Sequence, residues 1–297
     1  MRRLIVTADD FGAAPEVNEA VETAHRAGIL TAASLMVSGT AAADAVARAC
    51  RMPQLRVGLH LVLVEGRPTL PASQVSRLVG ADGCFRSDMA ALGAAIAFSP
   101  RVRRQLAAEI TAQFEAFAAT GLALDHCNAH KHYHLHPAIG RLMASIGRRF
   151  GVRAARVPSE PLSVLRKIEP STARGPALVT APFAWLLRRR FRAAGLAISD
   201  RVFGLQWSGA MIQARLAGLL RHLPQGLTEI YLHPATGAYA GSAPGYRYRE
   251  ELEALTSPEI VRLCRTGAVR LGGFTDFEGS TAAADSPRSM RPQETAP

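Results

Sequence analysis

The residues best equipped for chemistry stand at the ends of apolar runs. Asp9 and Asp10 close LIVTADD, His60 interrupts VGLHLVLV, and His233 ends EIYLHP. His130, His132, His134 and His136 recur at every second position of HKHYHLHP, where an extended backbone would put them on one face. A buried carboxylate without a partner is costly, and so is a lone imidazole in an apolar strand. One divalent cation answers both needs. An Asp with two His suits zinc or another divalent metal and leaves positions open for water. A metal lowers the pKa of water toward ~7, and a second carboxylate near the ion stays ionised as a base. These are the parts of a metal-assisted amide or ester hydrolase. Successive strand residues point to opposite faces, so a turn starting at Asp9 would aim one carboxylate at the metal and the other at its water. His233 could protonate the leaving group. Residue chemistry alone leaves open which Asp, and which of the four clustered histidines, would bind metal.

Strands and helices alternate at the spacing of βα units, which predicts a parallel sheet. Strands are expected over residues 3–8, 32–37, 57–64, 122–129, 155–158, 202–206, 228–233 and 268–274. Helices fall between them, one opened by Pro15 and ended by Gly28, another carrying Leu106, Ile110, Phe114 and Phe117 on one side. Residues 65–100 break the rhythm and read as a partly helical insertion over one face. The prediction is a single α/β domain over 1–278, a distorted (β/α) TIM-like barrel of about seven or eight parallel strands. Residues 279–297 are expected to be a disordered tail. In such a barrel the carboxyl ends of the strands converge, which brings Asp9, Asp10, His60 and the histidine cluster together.

Composition excludes several classes. Hydrophobic residues make up 48% and charged residues 20%, as in a soluble enzyme. No apolar stretch is long enough to span a membrane, and the short run after Arg2 and Arg3 lacks the features of a signal peptide, so a cytoplasmic protein is expected. Cys50, Cys84, Cys127 and Cys264 form no CxxC pair, which argues against a disulfide framework and for buried free thiols. The net charge of +11 comes almost wholly from Arg, Lys131 and Lys167 being the only lysines. Aromatics are 6% and no nucleic-acid motif is present, so a nucleic-acid partner is not expected. The basic stretch WLLRRRFR reads as an outer helix with a solvated Arg face, or as a contact with a membrane surface or amphiphilic substrate.

TADDFG, GLHL, AHKHYHLHP and YLHPA together resemble the YdjC-like (ChbG-type) carbohydrate deacetylases, from the first strand to about Phe274. TADDFG, PEVNEAVE, GLHLVLVEGRP and AHKHYHLHP are more similar still to the hopanoid-biosynthesis-associated (HpnK-like) branch. The resemblance implies a distorted barrel with one Mg2+ or Zn2+ held by Asp10, His60 and His130, Asp9 as base and His233 as acid. His132, His134 and Asn128 become candidates for orienting ligands or touching substrate. Many members carry Asp where this chain has Asn128, so the task of that carboxylate would fall to an amide. The branch implies removal of acetyl from an N-acetylglucosaminyl hopanoid, and the wider family a chito-oligosaccharide. A lipid-linked substrate would bring the enzyme to the inner face of the membrane, and a homodimer is a further expectation. The competing readings are a two-metal phosphoesterase and a basic module binding lipid or nucleic acid.

Overall fold

The apolar run after Arg3 becomes the central strand of the molecule. In a computed structural model of the protein, residues 1–172, 175–266 and 269–277 are described. The first half of the chain runs β1 (Arg2–Phe11), α1 (Pro15–Ala27), β2 (Ala32–Leu35), α2 (Ala42–Cys50), β3 (Arg56–Leu61), α3 (Met89–Phe98), α4 (Pro100–Ala119), β4 (Leu124–Ala129) and α5 (Pro137–Gly147). It continues through α6 (Leu162–Ile168), α7 (Gly175–Ala193), β5 (Arg201–Phe203), α8 (Gln213–Arg221), β6 (Gly226–Leu232), α9 (Tyr248–Thr256), α10 (Pro258–Thr266) and β7 (Val269–Leu271). Every strand pair is parallel, in the order β4-β3-β2-β1-β6-β5. β7 pairs the start of β1. The expected tail at 279–297 lies outside the described residues.

The seven described strands curl into a half-barrel that does not close, which corrects the expected TIM-like barrel. The expected strand at 155–158 is the reason. This segment touches both edges through isolated bridges, Cys127 to Ala155 and Ala154 to Ala197, and Ser159 accepts one bond from Val202. Pro158 has no N–H to give, so no ladder can run through it. β3 also ends earlier than its apolar pattern suggests. The Val62 N–H and C=O are both taken by the Gln113 side-chain amide of α4, in place of a neighbouring strand. Glu109 of α4 accepts from Thr69 and Leu70, which fastens the insertion over the same end of the sheet.

Period two sorts each strand into an outer and an inner row. Leu4, Val6 and Ala8 pack outward with the main apolar cluster, together with Ala33, Leu35, Val57, Leu59 and Leu61. The inner row of β1 is Ile5, Thr7 and Asp9. Ile5 joins Ala32, Leu227, Phe274 and Phe277 in an apolar plug at the amino ends of the strands. Above it the inner residues turn polar: Thr7 donates to Glu229, Ser34 meets His126, and Asp9 meets Arg156. The polar layer therefore sits where parallel strands end. Gly58 of β3 is required there, because a Cβ would come within 2.5 Å of the His126 ring.

Candidate active site

A cavity of about 550 Å³ opens at the carboxyl ends of the strands, and Asp9, Asp10, His60, His130, His132 and His233 all line it. Asp10 Oδ1 lies 3.1 Å from His130 Nδ1 and 3.3 Å from His60 Nε2. These three residues offer ligand atoms all within 4.8 Å of one another. Asp9 and Asp10 face the same cavity for a local reason. Asp10 adopts φ 63°, and the register between β1 and β2 shifts there, which breaks the alternation of adjacent side chains. The expectation that a turn follows Asp9 is thus replaced by a bulge within β1. Asn18 holds the chain just beyond it, accepting from Gly12 and donating to Ala41 and Asp44.

The hydrogen bonds around His60 test the metal reading. Asn128 Nδ2 donates to Ser34 Oγ at 2.9 Å and to Asp9 Oδ1 at 3.3 Å, so its Oδ1 faces His60 Nδ1 at 2.6 Å. Nδ1 must then carry the proton, and in the neutral imidazole Nε2 keeps its lone pair. That buried Nε2 has no hydrogen-bond partner among the described residues and looks toward the Asp10 carboxylate, another acceptor. Two buried acceptors facing each other call for a cation between them. The donor set fits a divalent metal at Asp10, His60 and His130.

Burial would raise the Asp10 pKa, but His130 outweighs it and holds the carboxyl well below its ordinary range. Burial likewise opposes the charged form of His130, yet the Asp10 carboxylate raises its pKa. Asp9 follows the same logic with a stronger partner. Against the cost of burial, Arg156 keeps it ionised far below the ordinary range. Arg156 donates Nη1 to Asp9 Oδ2 at 2.5 Å and Nη2 to Oδ1 at 3.0 Å. Its Nε and Nη2 reach Glu229 Oε1 at 2.9 and 2.7 Å, and Tyr231 lies under the guanidinium at 4.5 Å.

The family comparison is decisive over most of the length. The YdjC-like protein family matches residues 3–266. This chain belongs to the YdjC-like family. It is 31% identical to a human carbohydrate deacetylase over 96% of this chain and 94% of that protein. It is 30% identical to a carbohydrate deacetylase of Geobacillus stearothermophilus, covering 93% and 98% of the two chains. A solved Enterococcus faecalis V583 protein, assigned to cellobiose-phosphate cleavage, shares the fold with a TM-score of 0.72 at 22% identity, over 93% of this chain and 98% of that one.

In this YdjC-like chain the four clustered histidines part ways, which corrects their expected common face. Residues His130–Leu135 form a tight helical turn with Lys131 and His132 at positive φ, not an extended strand. His130 turns to Asp10. His132 Nε2 meets the Tyr231 hydroxyl at 2.8 Å, and burial followed by Arg156 keeps this imidazole neutral. His134 goes behind the cavity wall, where its Nε2–H donates to the Arg156 carbonyl and burial lowers its pKa to about 3. His136 caps α5 by accepting from Ala138. His233 lies between the Tyr231 and Tyr246 rings, and its backbone N–H is held by Glu251 at 2.5 Å.

Asp10, Glu65, Lys131 and His132 are the described non-glycine residues with positive φ, and all four line the cavity. Strain of this kind, about 1–3 kcal/mol per residue, persists where the surrounding structure fixes it. An ion pair between Lys131 and Glu65 joins the insertion to the histidine turn.

The sequence reading missed Arg156, Glu229, Tyr231 and Ser34. Counting back by twos along β6 from His233 gives Tyr231 and Glu229. Arg156 in AARVP is a charge within an apolar run, the signal that had singled out His60. The basic stretch of α7 is tied into the fold: Arg188 and Arg190 donate to the carbonyls of Asp200 and Pro137. Cys127 and Cys264 are buried free thiols as expected, whereas Cys50 is exposed. No described helix is long and apolar enough to cross a membrane.

Proposed function

We propose that this chain is a metal-dependent carbohydrate N-deacetylase that removes acetyl from an N-acetylglucosaminyl carbohydrate or glycolipid, with N-acetylglucosaminyl hopanoid as the substrate. The observation that carries this reading is the buried, unpartnered His60 Nε2 facing Asp10, beside a separate carboxylate, Asp9, that has its own cationic support. The names of the relatives support the substrate class. One carboxylate and two imidazoles suit zinc and its first-row neighbours better than magnesium, which prefers oxygen ligands. The described residues contain one such cluster, which favours a one-metal hydrolase over a two-metal phosphoesterase.

Bound at Asp10, His60 and His130, a divalent ion supplies Lewis acidity, lowering the pKa of water toward ~7 and polarising the acetamide carbonyl. Asp9 accepts the proton of the attacking water. Its low pKa makes it a weak base, sufficient only for a water already made acidic, and Arg156 fixes the direction of its oxygens. Asn128 orients both His60 and Asp9. His233 gives a proton to the departing amine, and water and amide become acetate and a free amino sugar. His132, kept neutral by burial and by Arg156, meets the Tyr231 hydroxyl in the cavity wall, where a substrate group would touch its ring. A lipid-linked substrate would be met by a cytoplasmic enzyme docking peripherally at the membrane, as a homodimer.

The test is acetate release by the metal-loaded protein from N-acetylglucosaminyl hopanoid and from chito-oligosaccharides. Release from neither overturns the reading. Release from the oligosaccharide alone moves the substrate assignment to that class.

A further inference from the structure

Next to the catalytic cavity lies a second chamber of about 220 Å³. Pro158, Ala181, Ala184, Trp185 and Leu205 give it an apolar lining. The two spaces share Thr180 and Leu205 in their walls, so the chamber adjoins the cavity. One stripe of α7 builds it: Ala181, Ala184, Trp185 and Arg188 follow the i, i+3, i+4, i+7 spacing of a single helix face. The charged groups at its edge are already engaged. Both Glu160 oxygens accept backbone N–H bonds, from Gly204 and Gln206 at 2.8 Å each, and Arg188 donates to the Asp200 carbonyl at 3.1 Å. Trp185, at the rim of the chamber, is 62% exposed.

We infer that this chamber binds the apolar aglycone of the substrate glycoside while the N-acetyl sugar occupies the catalytic cavity. The inference rests on the deacetylase reading above. Most hydroxyls of a sugar ring in the chamber would face the side chains of Pro158, Ala181, Ala184, Trp185 and Leu205, whereas an alkyl or polycyclic group loses nothing against them. Trp185 then closes over the bound hydrocarbon from the solvent side.

The experiment compares methyl and hexyl N-acetylglucosaminides with the full metal-loaded chain. Each methylene removed from water is worth a factor of about four, so the hexyl glycoside should show a kcat/KM at least about tenfold above the methyl one. Ala181→Trp, which fills the chamber from an exposed helix position, and Trp185→Ala should shrink that ratio toward one. Binding is read separately from turnover. Trp185 and Trp207 are the two tryptophans, and Trp207 is buried, so hexyl glycoside should shift the emission saturably to the blue through Trp185. Trp185→Phe should abolish the shift. A ratio near one in the wild-type protein, or an emission that never saturates, overturns the inference while acetate release leaves the deacetylase reading intact. A chitotrioside that binds better than the hexyl glycoside also overturns it. A saturable shift with no acetate from any glycoside supports the chamber and overturns the reading of the reaction.

Discussion

His60 Nδ1 donates to Asn128 Oδ1 across 2.6 Å, and the same amide donates to Asp9. One side chain thus fixes the tautomer of the imidazole proposed to bind metal and the position of the proposed base. Behind it, Asn128 Nδ2 also donates to Ser34 Oγ, Ser34 to His126 Nε2 at 3.0 Å, and His126 Nδ1 to Asp125 at 2.9 Å. Every donor in this chain finds an acceptor, so the direction of each bond follows from the carboxylate at its far end. Asn128→Ala should therefore weaken metal affinity by about 10–100-fold, the usual effect of removing a ligand's hydrogen-bond partner. Calorimetric titration with zinc reads it; unchanged affinity would refute the orienting role.

Gly58→Ala tests the same chain from another side. The added Cβ meets the His126 ring at 2.5 Å, and the buried ring must move. The expected cost is about 1–3 kcal/mol of stability, accompanied by weaker metal binding. Chemical denaturation and metal titration of one sample separate the two effects. A stability loss with full metal affinity would show that His126 only fills space.

Asp9→Asn should leave metal bound and reduce turnover by about 10²–10⁴-fold, the range for losing a general base. Full activity in this variant would remove Asp9 from the mechanism.

Arg156 neutralises two buried carboxylates, Asp9 and Glu229. Arg156→Met strands both, and removal of one partner from a buried ion pair costs about 3–5 kcal/mol. Adding Glu229→Gln should recover part of the stability in denaturant unfolding. Acetate release should stay low in the double variant, because Asp9 still lacks its bidentate anchor. Recovery of activity along with stability would make Arg156 purely structural.

Asp125 fastens the chain after β7 by accepting from Phe274 N and from Thr275 N and Oγ1. Burial opposes its charge, but His126 and Thr275 prevail and lower its pKa from 3.8 to about 2. A depressed folded pKa stabilises above the unfolded value, so the contribution is complete above about pH 5 and fades as pH falls through 2. Asp125→Asn should cost on the order of 2 kcal/mol at pH 7, with the gap to wild type narrowing in acid. Melting curves from pH 7 to pH 3 check it, and a gap independent of pH would refute the charge argument.

Much of the candidate site was legible because groups able to hold a metal are chemically unusual in apolar surroundings. His60 in VGLHLVLV and the paired carboxylates after LIVTA stand out against apolar strands. Arg156 carries the same contrast but sits in a segment that forms no ladder, so the strand-end rule did not select it. Ser34 and Thr7 could not be recognised from residue type, since a hydroxyl in a strand is unremarkable until its partner is known.

The sequence by itself determined the parallel βα order and the identity of the groups able to hold a metal, because periodicity and ligand chemistry are local properties. Tertiary structure decided the rest. It left the barrel open, because Pro158 and the scattered bridges around it cannot form a ladder. It sent His130 to Asp10, His132 to Tyr231 and His134 to Arg156, because two residues at positive φ redirect the turn. Each of those outcomes depends on a partner about 20 to more than 100 residues away, and period-two spacing holds no information about which distant group an imidazole will meet.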